Sequence, residues 1–221
     1  MSDRLIEARN LCKSYRNGRE TVAVLHNLSL ELEPGETVAV TGPSGCGKST
    51  LLNLLNGLSR PDAGVLEVFG STPADDDAWA ALRRSRIATL FQDGNLIPTL
   101  TVARNLAFRA GLAGRSADGA AALLEALDIA AVAERYPDQL SGGQRQRAAL
   151  ACAFAIEPRL MLADEPTGSL DEATASRVMP LFVEAVRQRG LTALIVTHNP
   201  ELAGRCDRVL RLHEGGLVPC P

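Results

Sequence analysis

The stretch GPSGCGKST, Gly42 to Thr50, decides how the rest of the chain is read. It fits G-x-x-x-x-G-K-[ST]. The short apolar run ETVAVTG leads into it, and Lys48–Leu58, with leucines at 51, 52, 54 and 55, reads as the helix that follows, ended by Gly57 and Pro61. In a strand–loop–helix setting the glycines let the backbone curl until several N–H groups point inward. With the positive helix N-terminus, those groups hold phosphate oxygens. The binding residues expected here are Gly42, Pro43, Ser44, Gly45, Cys46, Gly47, Lys48, Ser49 and Thr50. Lys48 is expected on the β- and γ-phosphates of a nucleotide, and Ser49 on Mg²⁺. Lys48 and Lys13 are the only lysines; every other basic residue is arginine.

Outward from the loop, three more segments place polar residues at the ends of apolar strands. RLMLADEP ends in Asp164 and Glu165. Two acids closing a buried strand are costly unless a cation or proton shares the site, and Mg²⁺ arriving with nucleotide supplies that charge. Asp164 suits the Mg²⁺ shell, and Glu165 suits a base that orients and deprotonates the attacking water. His198 ends LTALIVTH, where its ring is expected to reach the γ-phosphate. Gln92, in LFQDGN, is expected to contact Mg²⁺ or the water.

A second glycine-bearing helix start, LSGGQRQR, lies at 140–147. Outward-facing N–H groups at such a start favour an anion. The chain therefore carries two anion-binding helix starts about a hundred residues apart.

Composition narrows the function classes. The 221 residues are 46% hydrophobic but only 4% aromatic, so the core is expected to be Leu, Val, Ile and Ala. A net charge of −3 is no basic footprint for nucleic acid. Five widely spaced cysteines without a CxxC argue against disulfides and zinc, and for a reducing cytoplasm. MSDRLIEARN is no signal peptide, and the longest apolar run, Ala148 to Ile156, falls far short of the roughly 20 residues that span a bilayer. A membrane role must then come through a partner.

Strands alternate with helices at both ends of the chain, which argues for a parallel α/β core. RLIEARNL, TVAVLHNLSLEL, GVLEVFG and RIATLFQ read as strands, and Asp75–Arg84 reads as a surface helix opened by acids. From Thr101 to about Ile156 the pattern is helical throughout. ATASRVMPLFVEAVRQRG is a helix containing Pro180, and DRVLRLHEGGLV a terminal hairpin. We expect one unit, with core and β-subdomain over about 1–92 and 157–221 and a helical subdomain over about 93–156.

In this order and spacing the sequence resembles the ATP-binding cassette (ABC) ATPases over nearly its whole length. The motifs are the phosphate loop at 42–50, Gln92, LSGGQ at 140–144, LMLADE at 160–165, SLD at 169–171 and His198. The resemblance implies a P-loop NTPase (RecA-like) core with an antiparallel β-subdomain and an inserted α-helical signature subdomain. It implies ATP and Mg²⁺ as ligands, hydrolysis to ADP and phosphate, and a head-to-tail homodimer enclosing two ATPs. In that dimer Ser141, Gly142, Gly143 and Gln144 of one subunit face the γ-phosphate held by the other, and Asp171 links the two sites. Tyr15 lies where the family stacks an aromatic on adenine.

LADEPTGSLD, FQDGNLIPTLTVARNL and LRRSRIATLFQ look like the subgroup that powers lipoprotein release and macrolide efflux, with related cell-division ATPases. Members work with membrane proteins, so a permease partner touching Asn95–Val102 is expected, with the chain cytoplasmic and peripheral on the inner face of the membrane. An alternative is regulation of a cell-envelope or cell-division complex without transport. An ABC ATPase acting on DNA or ribosomes normally needs coiled coils, zinc modules or tandem cassettes, and a small-molecule kinase has no use for LSGGQ. Two positions depart from the family's pattern: Cys152 stands where arginine is usual and Asn199 where aspartate is common.

Overall fold

The computed structural model describes residues 4–18, 20–92, 94–168, 170 and 172–220. Two sheets organise the chain. β1 (Ile6–Asn17), β2 (Glu20–Leu32) and β4 (Ala63–Val68) form an antiparallel sheet in the order β2-β1-β4. β3 (Thr37–Thr41), β5 (Ile87–Leu90), β6 (Leu160–Asp164), β7 (Thr192–Val196), β8 (Arg208–His213) and β9 (Gly216–Pro219) form the other, ordered β5-β6-β7-β3-β8-β9. Every pairing in it is parallel except β8–β9, the terminal hairpin. The sequence anticipates this mixed α/β architecture.

The parallel strands are apolar at consecutive positions because both their faces are covered. Along β6, Leu160 and Leu162 pack with the antiparallel sheet and α1 (Lys48–Leu55), while Met161 and Ala163 pack with a helical lobe whose core includes Leu106, Leu150, Phe154, Met179 and Phe182. β7 splits the same way, with Leu194 and Val196 on one side and Ala193 and Ile195 on the other. The stretch expected to be helical holds α3 (Val102–Leu112), α4 (Ala120–Ala126), two 3₁₀ turns and α5 (Gly142–Phe154). α2 (Asp76–Ser85) begins where its acids predict: Asp75 caps it, accepting from Ala78 N at 2.8 Å. α6 (Glu172–Gln188) runs through Pro180, and α7 (Pro200–Ala203) is a single turn.

Some boundaries differ from the pattern. α1 stops at Leu55 rather than Leu58, because Gly57 takes a left-handed φ of 63° and the Trp79 ring occupies the space its side chain would need. β5 and β7 end at Leu90 and Val196, so Gln92 and His198 sit in loops just past the strands. Cys152 is buried in the helical lobe, where desolvation pushes its thiol up to about 12, so it stays protonated and inert.

Asp207 pins β8 to β3. Its Oδ2 accepts from Thr37 N at 2.7 Å and from Thr37 Oγ1 at 2.6 Å. These bonds, with Arg187 nearby, hold its carboxyl below the usual 3.8. A depressed folded-state value stabilises above the unfolded value and loses that contribution as pH falls through the folded one. Asp207→Asn is expected to cost about 1 kcal/mol at pH 7, a modest figure because the carboxylate is half exposed. In urea unfolding the gap between variant and wild type should close as pH drops below 3.8.

Candidate functional site

In a parallel sheet, ligands bind beyond the C-terminal strand ends, and four loops meet there. The phosphate loop follows β3, Asp164 ends β6, Gln92 follows β5 and His198 follows β7. β7 lies between β3 and β6, so the phosphate loop and Asp164 start about 10 Å apart. Side chains close the gap: Ser49 Oγ donates to Asp164 Oδ2 at 3.0 Å.

The loop needs its glycines. Gly42 has φ 146°, and a Cβ there would meet Leu212 O at 2.5 Å. Gly47 opens α1 at φ 107°, and a Cβ there would meet Val24 Cγ1 at 2.7 Å. Cys46 packs partly against the same core. Lys48 folds back so that Nζ donates to Gly42 O and Pro43 O, both at 2.9 Å. It is 8% exposed, and among the described residues no carboxylate pairs with it. A nearly buried ammonium resting on carbonyls alone fits an anion held at the loop.

Glu165 turns the chain at the end of β6 with φ 46°, unusual for a residue with a side chain. Its N–H donates to Val196 O at 2.9 Å, which ties it to the neighbouring strand. Its Oε2 accepts from His198 N at 3.1 Å. Its Oε1 stands 3.2 Å from His198 Nε2, but without hydrogen-bond alignment, so among the described residues this buried oxygen has no protein donor. That is the chemistry of a group awaiting a donor such as water.

Sequence reasoning misses Gly168, Asn105 and Val24. A Cβ at Gly168 would stand 3.1 Å from Glu165 Cβ and 3.4 Å from Gln92 Nε2, so this glycine leaves room for both side chains. Asn105, buried in α3, donates from Nδ2 to Ile97 O, Leu100 O and Thr101 O and accepts from Ile97 N, fastening the loop before α3. Within the expected partner stretch Asn95–Val102, Val102 is fully buried and Leu96 packs on the helical lobe; Pro98 and Thr99 are exposed.

Ser141, Gly142, Gly143 and Gln144 stand apart from these loops. Ser141 caps α5: Ser141 Oγ accepts from Gln144 N at 3.3 Å, and Gln144 Oε1 accepts from Ser141 N at 3.0 Å. Gly143 packs on α6, where a Cβ would meet Thr174 Cγ2 at 2.4 Å. Ser141 and Gly143 line a cavity of about 260 Å³ with Asp128, Arg147, Thr174 and Val178, none of them from the phosphate loop. Ser169 and Asp171 lie outside the described residues. Tyr15 is 42% exposed on β1, opposite Val22; Val24, at the register shift two residues further along β2, touches the phosphate loop at Gly47.

Among the described residues no cluster of three or more His, Cys, Asp or Glu is built to hold a metal. Ser49 Oγ and Asp164 Oδ2 offer a hard cation two oxygens. This suits Mg²⁺, which takes few protein ligands and completes its shell with water and phosphate. Among the described residues no helix is long and apolar enough to cross a membrane.

Comparison with known proteins gives a consistent result. The family described as "ABC transporter" matches residues 25–168. The lipoprotein-releasing system ATP-binding protein LolD of Novosphingobium aromaticivorans is 44% identical over 223 aligned positions, covering 98% of this chain and 100% of that protein. Among solved structures, the dimeric post-hydrolysis state of the ATP-binding cassette MJ0796 bound to ADP and Pi superposes with a TM-score of 0.88 at 33% identity, covering 97% of this chain and 98% of that one. The cbiO1 protein of Clostridium perfringens, part of the ABC transporter complex cbiONQ, gives 0.83 at 27% identity, covering 98% and 88%.

Proposed function

The chain belongs to the ABC transporter family, and from that premise we propose that it is the ATP-binding and ATP-hydrolysing subunit of a transporter complex, in which ATP-driven closure of a homodimer powers a separate membrane permease. The observation that carries the reading is the convergence of Ser49, Asp164, Glu165 and His198 at the ends of three neighbouring parallel strands.

In this reading the phosphate loop binds the triphosphate through its N–H groups, and Lys48 moves from the loop carbonyls to the β- and γ-phosphates. Ser49 and Asp164, with Gln92 or the water it orients, would hold Mg²⁺, which when bound would offset charge on the phosphate oxygens. Glu165 Oε1 accepts a proton from water as its oxygen attacks the γ-phosphorus. The bond to the bridging oxygen breaks, giving ADP, phosphate and a proton. The His198 N–H keeps the carboxylate aimed, and its ring faces the γ-phosphate. Tyr15 stacks on adenine, and the α5 start of a second copy caps the γ-phosphate. Asp171 links the two sites. The stretch about 93–156 acts as the helical signature subdomain on a core formed by about 1–92 and 157–221.

The close likeness to LolD supports work on a membrane-embedded partner that handles lipoproteins, with the chain peripheral on the inner face of the cytoplasmic membrane. Pro98 and Thr99 are the exposed part of the stretch offered to that partner. The test is release of labelled phosphate from γ-labelled ATP by the purified chain, alone and with the co-purified membrane partner. Free phosphate is expected; label transferred to a small-molecule acceptor would replace this reading with a kinase. Lys48→Ala is expected to weaken ATP binding by more than about tenfold, since it removes one charge-assisted contact to phosphate.

A further inference from the structure

Lys13 is the only lysine outside the phosphate loop, and its surroundings direct it to Tyr15. The two are i and i+2 on β1 and share a face, with Lys13 Nζ 5.5 Å from the centroid of the Tyr15 ring. The ammonium is fixed rather than free. It donates to Asp62 Oδ1 at 3.0 Å and to Arg60 O at 2.8 Å, and only 14% of the side chain is exposed. Asp62 also anchors the backbone between lysine and tyrosine, its Oδ2 accepting from Ser14 N at 2.6 Å. It sits where β4 leaves β1: Asp62 N donates to Cys12 O at 2.8 Å, and beyond this point β1 pairs with β2 alone. The hydrogen bonds from Lys13 and Ser14 lower the Asp62 pKa below its usual 3.8.

We propose that Lys13 is a positioning residue for nucleotide binding: clamped by Asp62, it holds the Tyr15 ring in place for the base of ATP. This rests on the reading of Tyr15 as the adenine platform. An exposed tyrosine at the end of a two-stranded ribbon otherwise samples several rotamers and loses that freedom on stacking. A cation against the ring removes part of the loss beforehand. Since Asp62 grips both Lys13 and the Ser14 backbone, ring and strand are set by one carboxylate. The clamp lies outside the loops that handle the phosphates, so it acts on affinity for the base and not on the triphosphate.

The experiment compares ATP with inorganic tripolyphosphate, which lacks the base, by calorimetry on the full chain. Lys13→Met keeps the aliphatic stem and removes the charge. It is expected to weaken ATP about two- to fivefold, leave tripolyphosphate unchanged, and add nothing in a Tyr15→Ala background. Lys13→Arg, which keeps the cation, is expected to restore most of the affinity. Asp62→Asn, which leaves the lysine but loosens the clamp, is expected to shift ATP binding in the same direction. Equal weakening of both ligands would mean that Lys13 only braces the strand, and would overturn the proposal. So would unchanged ATP affinity in Lys13→Met where Tyr15→Ala binds ATP more weakly. If Tyr15→Ala itself binds ATP as tightly as the wild type, the adenine reading fails first and the proposal with it.

Discussion

Glu165→Gln is expected to slow ATP hydrolysis by about 10²- to 10⁴-fold, the usual contribution of a positioned general base, while leaving ATP affinity unchanged. The substitution is close to isosteric. A Gln amide oxygen still accepts from His198 N–H, as Glu165 Oε2 does at 3.1 Å, so the turn after β6 is retained. What is lost is the basic oxygen at Oε1, a buried acceptor without a hydrogen-bond partner among the described residues. Phosphate-release kinetics and nucleotide binding on the same preparation separate the two effects. Hydrolysis at the wild-type rate would remove Glu165 from the role of base. Loss of ATP binding alongside hydrolysis would show that the variant damages the phosphate site instead.

The second large effect is expected at the other glycine-bearing helix start. Ser141→Asp keeps an acceptor at the N-cap of α5, because aspartate caps a helix as well as serine does. It also places a negative charge where the partner's γ-phosphate is expected. ATP should still bind each monomer through the phosphate loop, but the ATP-dependent dimer should be lost and hydrolysis should fall about 100-fold or more. Gly143→Asp is a poorer test, since its Cβ would stand 2.4 Å from Thr174 Cγ2 and disturb α5 against α6 whether or not a dimer forms. Wild-type hydrolysis by Ser141→Asp would exclude a cross-subunit role for this helix start. Ser141→Ala, by contrast, should cost about 1 kcal/mol of stability through the lost cap and leave the charge balance at the interface alone.

The parallel core was legible because its strands are unbroken apolar runs that stop at polar residues, and the stops are where β3 and β6 deliver Ser49 and Asp164 to one another. Helices α2 and α5 were legible from their first residues, the acids that open α2 and the Ser-Gly-Gly start of α5, and the structure adds that Asp75 and Ser141 cap them. The residues that reasoning from the sequence missed act between segments distant in the chain. Gly168 matters through the space it leaves between Glu165 and Gln92, and Asn105 through four hydrogen bonds back to a preceding loop. Neither leaves a periodic or charge signal. The early end of α1 has the same origin, since Trp79 on α2 packs against Gly57. Val102 shows the converse limit: an apolar stretch can be offered to a partner or used for packing, and here the fold buries that end of it.

The separation of the two helix starts has a physical consequence. α1 packs in the core beneath the antiparallel sheet, and α5 in the core of the helical lobe. Among the described residues no hydrogen bond or ion pair joins residues 141–144 to residues 42–50. An anion at each start is stabilised by roughly 0.3–2 kcal/mol, so in the reading proposed above one triphosphate bridging starts from two copies would favour the closed dimer while the γ-phosphate is present.

The most direct measurement is light scattering on Glu165→Gln after gel filtration, with ATP, with ADP and without nucleotide. A mass near twice the 23.4 kDa of the chain is expected with ATP alone, and the single-chain mass in the other two conditions. A single-chain mass with ATP demonstrably bound, or a dimer that ignores nucleotide, would contradict an ATP-dependent closure built from the two half-sites.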